Sequence, residues 1–140
     1  MNVLLDTAAW INGVKEPETL PARALSILRN EANRFFLSDI SLLEASMLGR
    51  KGKVDFGMEF AQWLEKALAE NLQILPISAG IAAIENALPR IFHGDPADRI
   101  IAGTAIAHQL TLLTPDPGIA FNRVCQTIRY RWPKARTGSR

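Results

Sequence analysis

The chain has 140 residues, 48% of them apolar and 21% charged, a size and composition that suit one folded domain and exclude a disordered segment. No apolar run approaches the ~18 residues of a membrane-spanning helix. Asp6 interrupts an opening without a basic start, which is no secretory signal, so a cytoplasmic protein is expected. The formal charge of +2 conceals an asymmetry: Arg123, Arg129, Arg131, Lys134, Arg136 and Arg140 form a basic end free of acids, while the ten remaining cations face 14 acids and leave the body at −4.

Asn2–Leu5 reads as a short apolar strand that stops at Asp6. The spacing of Ala24, Leu25, Ile27 and Leu28 predicts a helix over 21–33, with Pro21 in its first turn. Arg34–Leu37 is a second strand. A helix follows from about Ile40 to Arg50, where Lys51-Gly52-Lys53 breaks it. Phe56, Phe60, Trp63, Leu64, Ala67 and Leu68 recur at helical spacing and predict a helix over 56–71. Gln73–Pro76 is a strand, and Ser78 is placed to cap a helix ending near Leu88-Pro89. Asp95-Pro96 joins a preferred N-cap to a preferred first helical residue, and the run continues to His108. Leu110–Thr114 is a strand, Pro115–Gly118 a turn, and Val124–Ile128 a last strand. Short apolar strands alternating with helices predict an α/β fold with a mostly parallel sheet.

Two strand ends carry chemistry. Val3-Leu4-Leu5 runs into Asp6-Thr7, and Leu112-Leu113 runs into Thr114-Pro115-Asp116. In open α/β sheets ligands bind outside the carboxyl ends of the strands, so parallel strands put Asp6 and Asp116 on one edge. Each acid also has an ordinary structural use. Asp6 and Asp116 suit the caps of the elements that follow them, and Asp95 is a cap. Asp98 lies in a first helical turn, where an acid stabilises the helix dipole. Glu44 stands three residues after Ser41, the spacing of a capping box, or else lies inside a helix that starts at Ser38 or Asp39. Other reactive side chains form no pattern: His93 and His108 lack ligand spacing, and the lone Cys125 reads as a core thiol and excludes an intramolecular disulfide. Gly49–Lys53 lacks the phosphate-loop pattern. Trp10 and Trp63 sit in apolar patterns and read as core, Trp63 having a partner groove as its other use.

Jointly the acidic segments VLLDTAAWI (3–11), SDISLLEAS (38–46), GDPADRIIAGTA (94–105) and LLTPDPGI (112–119) resemble the ordered motifs of PIN-domain ribonucleases, most of all the VapC-type toxins of bacterial toxin–antitoxin modules. The resemblance spans nearly the whole chain, and D-P-x-D-R-x-I-A followed by L-x-T-x-D is its most specific part. Asp116 departs from it in being flanked by prolines, where these toxins more often follow the aspartate with a polar or basic residue. The resemblance implies a three-layer α/β/α PIN-like fold over 1–128, followed by a basic tail over 129–140. It implies that Asp6, Glu44, Asp98 and Asp116 converge as a catalytic, metal-binding set, with Thr7 and Thr114 supporting them.

Four carboxylates in one cleft repel one another unless a cation neutralises them. Oxygen-only ligands select Mg²⁺ or Mn²⁺ over zinc. The activity the resemblance implies is metal-dependent endoribonuclease cleavage of RNA, held in check by a cognate antitoxin, in a homodimer and a toxin–antitoxin hetero-oligomer. Arg129, Arg131, Lys134 and Arg136 are the expected RNA contacts, with Tyr130 and Trp132 as base-stacking residues, as residues packed on the body, or as residues that contact the antitoxin. Phosphoryl transfer through an aspartyl-phosphate on Asp6 is disfavoured, because that chemistry wants a second acid at position 8, which is Ala. A non-catalytic RNA-binding or scaffold module of PIN-like fold is the other reading, and retention of all four acids argues against it.

Overall fold

Asn2–Leu5 forms β1, and its alternating side chains divide the interior: Val3 and Leu5 enter one apolar cluster and Leu4 the other. The computed structural model describes residues 1–68, 71–92, 94–117 and 121–133. Within them β2 (Arg34–Ser38), β3 (Leu72–Leu75), β4 (Thr111–Thr114) and β5 (Thr127–Arg129) complete one sheet of order β3-β2-β1-β4-β5. Every neighbouring pair is parallel, with Leu4 beside Phe36 on one side and Leu112 on the other.

Helices cover both faces, which is what a parallel sheet of apolar strands requires. On one face lie α1 (Thr7–Lys15) and α2 (Ala22–Arg29), the inward residues of α3 (Ile40–Arg50), and α4 (Phe60–Ala67), through Trp10, Ala24, Ile27, Ala45 and Trp63. On the other lies α6 (Pro96–His108), through Ile101, Ala102 and Ala105. Against α6 packs α5 (Ala79–Asn86), so closely that a side chain at Gly103 would stand 3.2 Å from the Ile81 carbonyl. This is the expected three-layer architecture. No helix among the described residues is long and apolar enough to cross a membrane.

Three elements differ from their expected bounds by more than two residues at one or both ends, each for a local reason. The helix expected over 21–33 ends at Arg29, because Asn30 accepts from Ala32 N at 2.9 Å and Asn33 Nδ2 donates to Ile27 O at 3.0 Å. The one expected over 56–71 starts only at Phe60. Asp55 Oδ1 accepts from Gly57 N at 2.8 Å, and Gly57 has a φ of 73°, so the chain turns there. Phe56 still packs on Trp63, with ring centroids 4.3 Å apart. The last strand begins at Thr127 rather than Val124, since a short 3₁₀ turn at Phe121–Arg123 takes the Val124 and Cys125 N–H groups onto the Phe121 carbonyl.

The sheet also continues past Ile128. Arg129 pairs in register with Thr114, and Tyr130 is buried, its N–H on the Thr114 carbonyl at 3.0 Å and its hydroxyl accepting from Asn12 Nδ2 at 3.2 Å. The first residues of the expected tail are therefore part of the folded body.

Candidate active site

The strand order reverses at β1, with β2 and β3 to one side and β4 and β5 to the other. A crevice opens at such a reversal, beyond the carboxyl ends of the strands. Asp6 leaves β1 at this point. Its N–H donates to the Leu113 carbonyl at 3.2 Å, and its Oδ1 accepts from Ala9 N at 2.7 Å, capping α1. Oδ2 accepts from the Thr114 hydroxyl at the end of β4. The same hydroxyl oxygen accepts from Asp116 N at 3.0 Å. One threonine thus ties together the two acids that leave adjacent strands.

Glu44 lies in the body of α3, whose N-cap is Asp39, so the capping-box pairing with Ser41 does not form. Ser41 is buried at the second turn position and serves the site instead. Thr7 donates its hydroxyl proton to Glu44 Oε1, and with that proton committed the Ser41 hydroxyl, 2.8 Å away, donates to Thr7. Asp98 does form a capping box: its N–H donates to Asp95 Oδ1 at 2.9 Å, and Asp95 N donates to Asp98 Oδ2 at 3.3 Å. Capping and a place in the cleft coexist in this residue. Arg99 fixes the start of α6 by donating to Glu85 Oε1 at 2.5 Å, to the Glu85 carbonyl at 2.9 Å and to the Phe92 carbonyl at 3.3 Å. Gly94 makes room for this, since a Cβ there would meet Asp98 Cβ at 2.6 Å and the Phe92 ring at 2.9 Å.

Asp6, Glu44, Asp98 and Asp116 all line one cleft of about 370 Å³, together with Thr7, Ala8, Leu48, Ile101, Pro115, Pro117 and Trp132. No cationic side chain is among its described lining residues. Electrostatics follow from that composition. Burial raises the Asp6 carboxyl from 3.8 to about 7, against the hydrogen bonds from Thr114 and Ala9, with the charges of Asp116 and Glu44 adding to the rise. Burial, then the neighbouring Asp95, raises Asp98 to about 7 as well. Glu44 is raised by burial, with its Thr7 hydrogen bond opposing.

A hard divalent cation fits this donor set, which is carboxylate oxygen throughout and has no cationic side chain among the described lining residues. Among the described residues no three of these acids are gathered into a ready-made cage.

Other expected contacts are placed differently. Arg129 and Arg131 are exposed beside this edge, whereas Lys134 and Arg136 lie outside the described residues, as does His93. His108 is exposed at the far end of α6 from Asp98. Cys125 is half-buried, and burial pushes its thiol up. Trp10 and Trp63 are core residues, ring centroids 5.0 Å apart. Trp132, expected in the tail as a base-stacking residue or one packed on the body, lines the cleft. The available signal was the parallel direction of β5, which brings whatever follows it to the carboxyl edge.

Comparison with known proteins agrees with this geometry. The PIN domain family matches residues 3–126. The chain is 34% identical over 123 residues to Ribonuclease VapC22 of Mycobacterium tuberculosis, covering 86% of this chain and 92% of that one. It resembles the crystal structure of VapBC2 from Rickettsia felis bound to a promoter DNA fragment, with a TM-score of 0.68 at 21% identity over 93% of this chain and 99% of that one. A toxin–antitoxin complex from Klebsiella pneumoniae gives a TM-score of 0.67 at 24% identity, over 92% and 98% of the two chains.

Proposed function

We propose, from the premise that the chain belongs to the PIN-domain family, that it is a metal-dependent endoribonuclease toxin neutralised by a cognate antitoxin. The observation that carries this is the meeting of Asp6, Glu44, Asp98 and Asp116, from four separate segments, in one cleft without a cationic side chain among its described lining residues. The Mycobacterium tuberculosis relative is named a ribonuclease, and the similar folds include toxin–antitoxin complexes. These support RNA as substrate and an antitoxin as partner. Residence in the cytoplasm and a homodimer complete the reading.

Asp6 and Asp98 would hold Mg²⁺ or Mn²⁺ most directly, with Asp116 and Glu44 completing the set, and the bound ion supplies positive charge that polarises the phosphodiester. The chain's own groups do the rest. Thr114 holds Asp6 Oδ2 and, through Asp116 N, sets the spacing of two acids. Thr7 holds Glu44 Oε1, leaving Oε2 to orient a water and take its proton as that water attacks phosphorus and the P–O bond to the leaving ribose breaks. Burial raises the Glu44 pKa, which makes its carboxylate a stronger base than a solvated one.

The test is cleavage of single-stranded RNA by purified protein with Mg²⁺ or Mn²⁺, with and without chelator. Cleavage lost on chelation and in Asp98→Asn, a change that keeps shape while removing charge, is the expected result. Undiminished cleavage by a folded Asp98→Asn protein would overturn the assignment. Co-expression with the product of a neighbouring short reading frame should abolish activity if that product is the antitoxin.

A further inference from the structure

Trp132 stands apart from the other aromatics of the chain. Trp10 and Trp63 are 1% and 2% exposed, whereas Trp132 is 40% exposed and lines the carboxylate cleft. Its position is built. Two residues before it, Tyr130 is buried and bonded to Thr114 and Asn12. Its own Nε1 donates to Thr19 Oγ1 at 2.6 Å. Thr19 spends its hydroxyl proton on the Glu16 carbonyl at 2.7 Å, so its oxygen is free to accept. With the one polar atom of the indole satisfied, the ring brings apolar, π-bearing surface to a cleft whose other described residues are acids, Thr7 and small or aliphatic side chains.

From this geometry, and resting on the ribonuclease reading above, we infer that Trp132 is the platform on which a nucleobase of single-stranded RNA stacks beside the scissile phosphate. Carboxylates handle a phosphodiester only through a cation and offer a base nothing apolar. A ring at the cleft mouth supplies the missing contact, and every base has a π-face to meet it. Arg129, opposite Thr114 in the sheet, and Arg131 flank it on the same segment, a basic and aromatic interleaving that suits a single strand. Double-stranded RNA keeps its bases stacked on each other and gives the ring nothing to bind. Trp132 is thus a positioning and specificity residue.

The experiment uses the full chain carrying Asp98→Asn, so that RNA is bound and not cut, with a short single-stranded RNA that the wild-type protein cleaves. Since the other two tryptophans are buried, quenching of exposed indole fluorescence on titration reports stacking on Trp132. Trp132→Ala should abolish that quenching and weaken binding about tenfold, Trp132→Phe should restore most of the affinity, and both should bind duplex RNA like the parent. Abasic sugars stepped along the RNA should find one position that weakens binding to the parent and not to Trp132→Ala. Thr19→Val, which frees the indole without removing it, should reduce quenching in this background and, in the chain with Asp98 intact, raise KM for cleavage with kcat nearly unchanged. Equal affinity of parent and Trp132→Ala, or abasic losses equal in both, would overturn the inference, as would an effect confined to antitoxin binding. If the wild-type protein cleaves no RNA, the ribonuclease reading falls and this inference with it, an outcome distinct from normal cleavage that ignores Trp132.

Discussion

Asp6 is a helix cap and a cleft acid at once, and the two roles act on its proton in opposite directions. Its hydrogen bonds from Ala9 and Thr114 favour the anion, while burial and the charges of Asp116 and Glu44 favour the acid and win, raising it from 3.8 to about 7. The folded state therefore holds a proton more tightly than the unfolded chain between those values, so stability falls as pH rises through that window. The slope from this group is at most about 1.4 kcal/mol per pH unit. Asp6→Asn keeps a capping side chain and removes the charge. In chelator it should be more stable than wild type at pH 8, the difference vanishing near pH 4, as denaturant melts at the two pH values would show. Gly94 carries a second prediction. A methyl group there must push Asp98 or Phe92 aside, so Gly94→Ala should cost about 1–3 kcal/mol and lower RNA cleavage further than that loss explains, measured on the folded fraction.

Elements were legible where the cue was a single residue with one physical meaning. Asp95-Pro96 opens α6, Ser78 caps α5 by accepting from Ile81 N, and Asp6 stops β1. They were less legible where periodicity stood in for a hydrogen-bond ladder. Phe56 and Phe60 keep helical spacing with Trp63 because their rings pack together, although the backbone at Asp55–Gly57 turns. The four acids of the cleft were legible as types and order. The pairing of Glu44 with Thr7 rather than Ser41, and the arrival of Trp132, depend on helix placement and strand direction that no local pattern encodes. The end of β5 was hidden because charge marked residues 129–140 as one tail, whereas Arg129 pairs in the sheet and Tyr130 is buried. Tyr130→Ala should therefore cost about 3 kcal/mol as a large buried aromatic, and Tyr130→Phe about 1 kcal/mol for the Asn12 bond. A chain ending at Trp132 should melt like wild type, yet its RNA-binding log-affinity should fall less steeply with log salt, by one or two contacts at roughly −0.7 each.

At the scale of the molecule, the acids are held in place by a fold whose assembly works against their mutual repulsion. A divalent cation that binds only the folded state should add about 2.7 kcal/mol at a hundredfold excess over its Kd, so melting temperature should rise with Mg²⁺ or Mn²⁺ in wild type and respond less in Asp98→Asn. The strand order has a consequence for how the protein is made. β1 precedes the other four strands of the sheet in the chain and lies in the middle of it, yet Val3 waits for Thr111 as its neighbour on one side. Until then an apolar strand edge stays open, and neither Thr114 nor Asp116 exists to complete the cleft. Until β4 is made, a nascent chain thus lacks a complete cleft and is most prone to stick. The cleft is whole only once β4 and Asp116 have followed the earlier segments, so nothing can occupy it in its final form sooner.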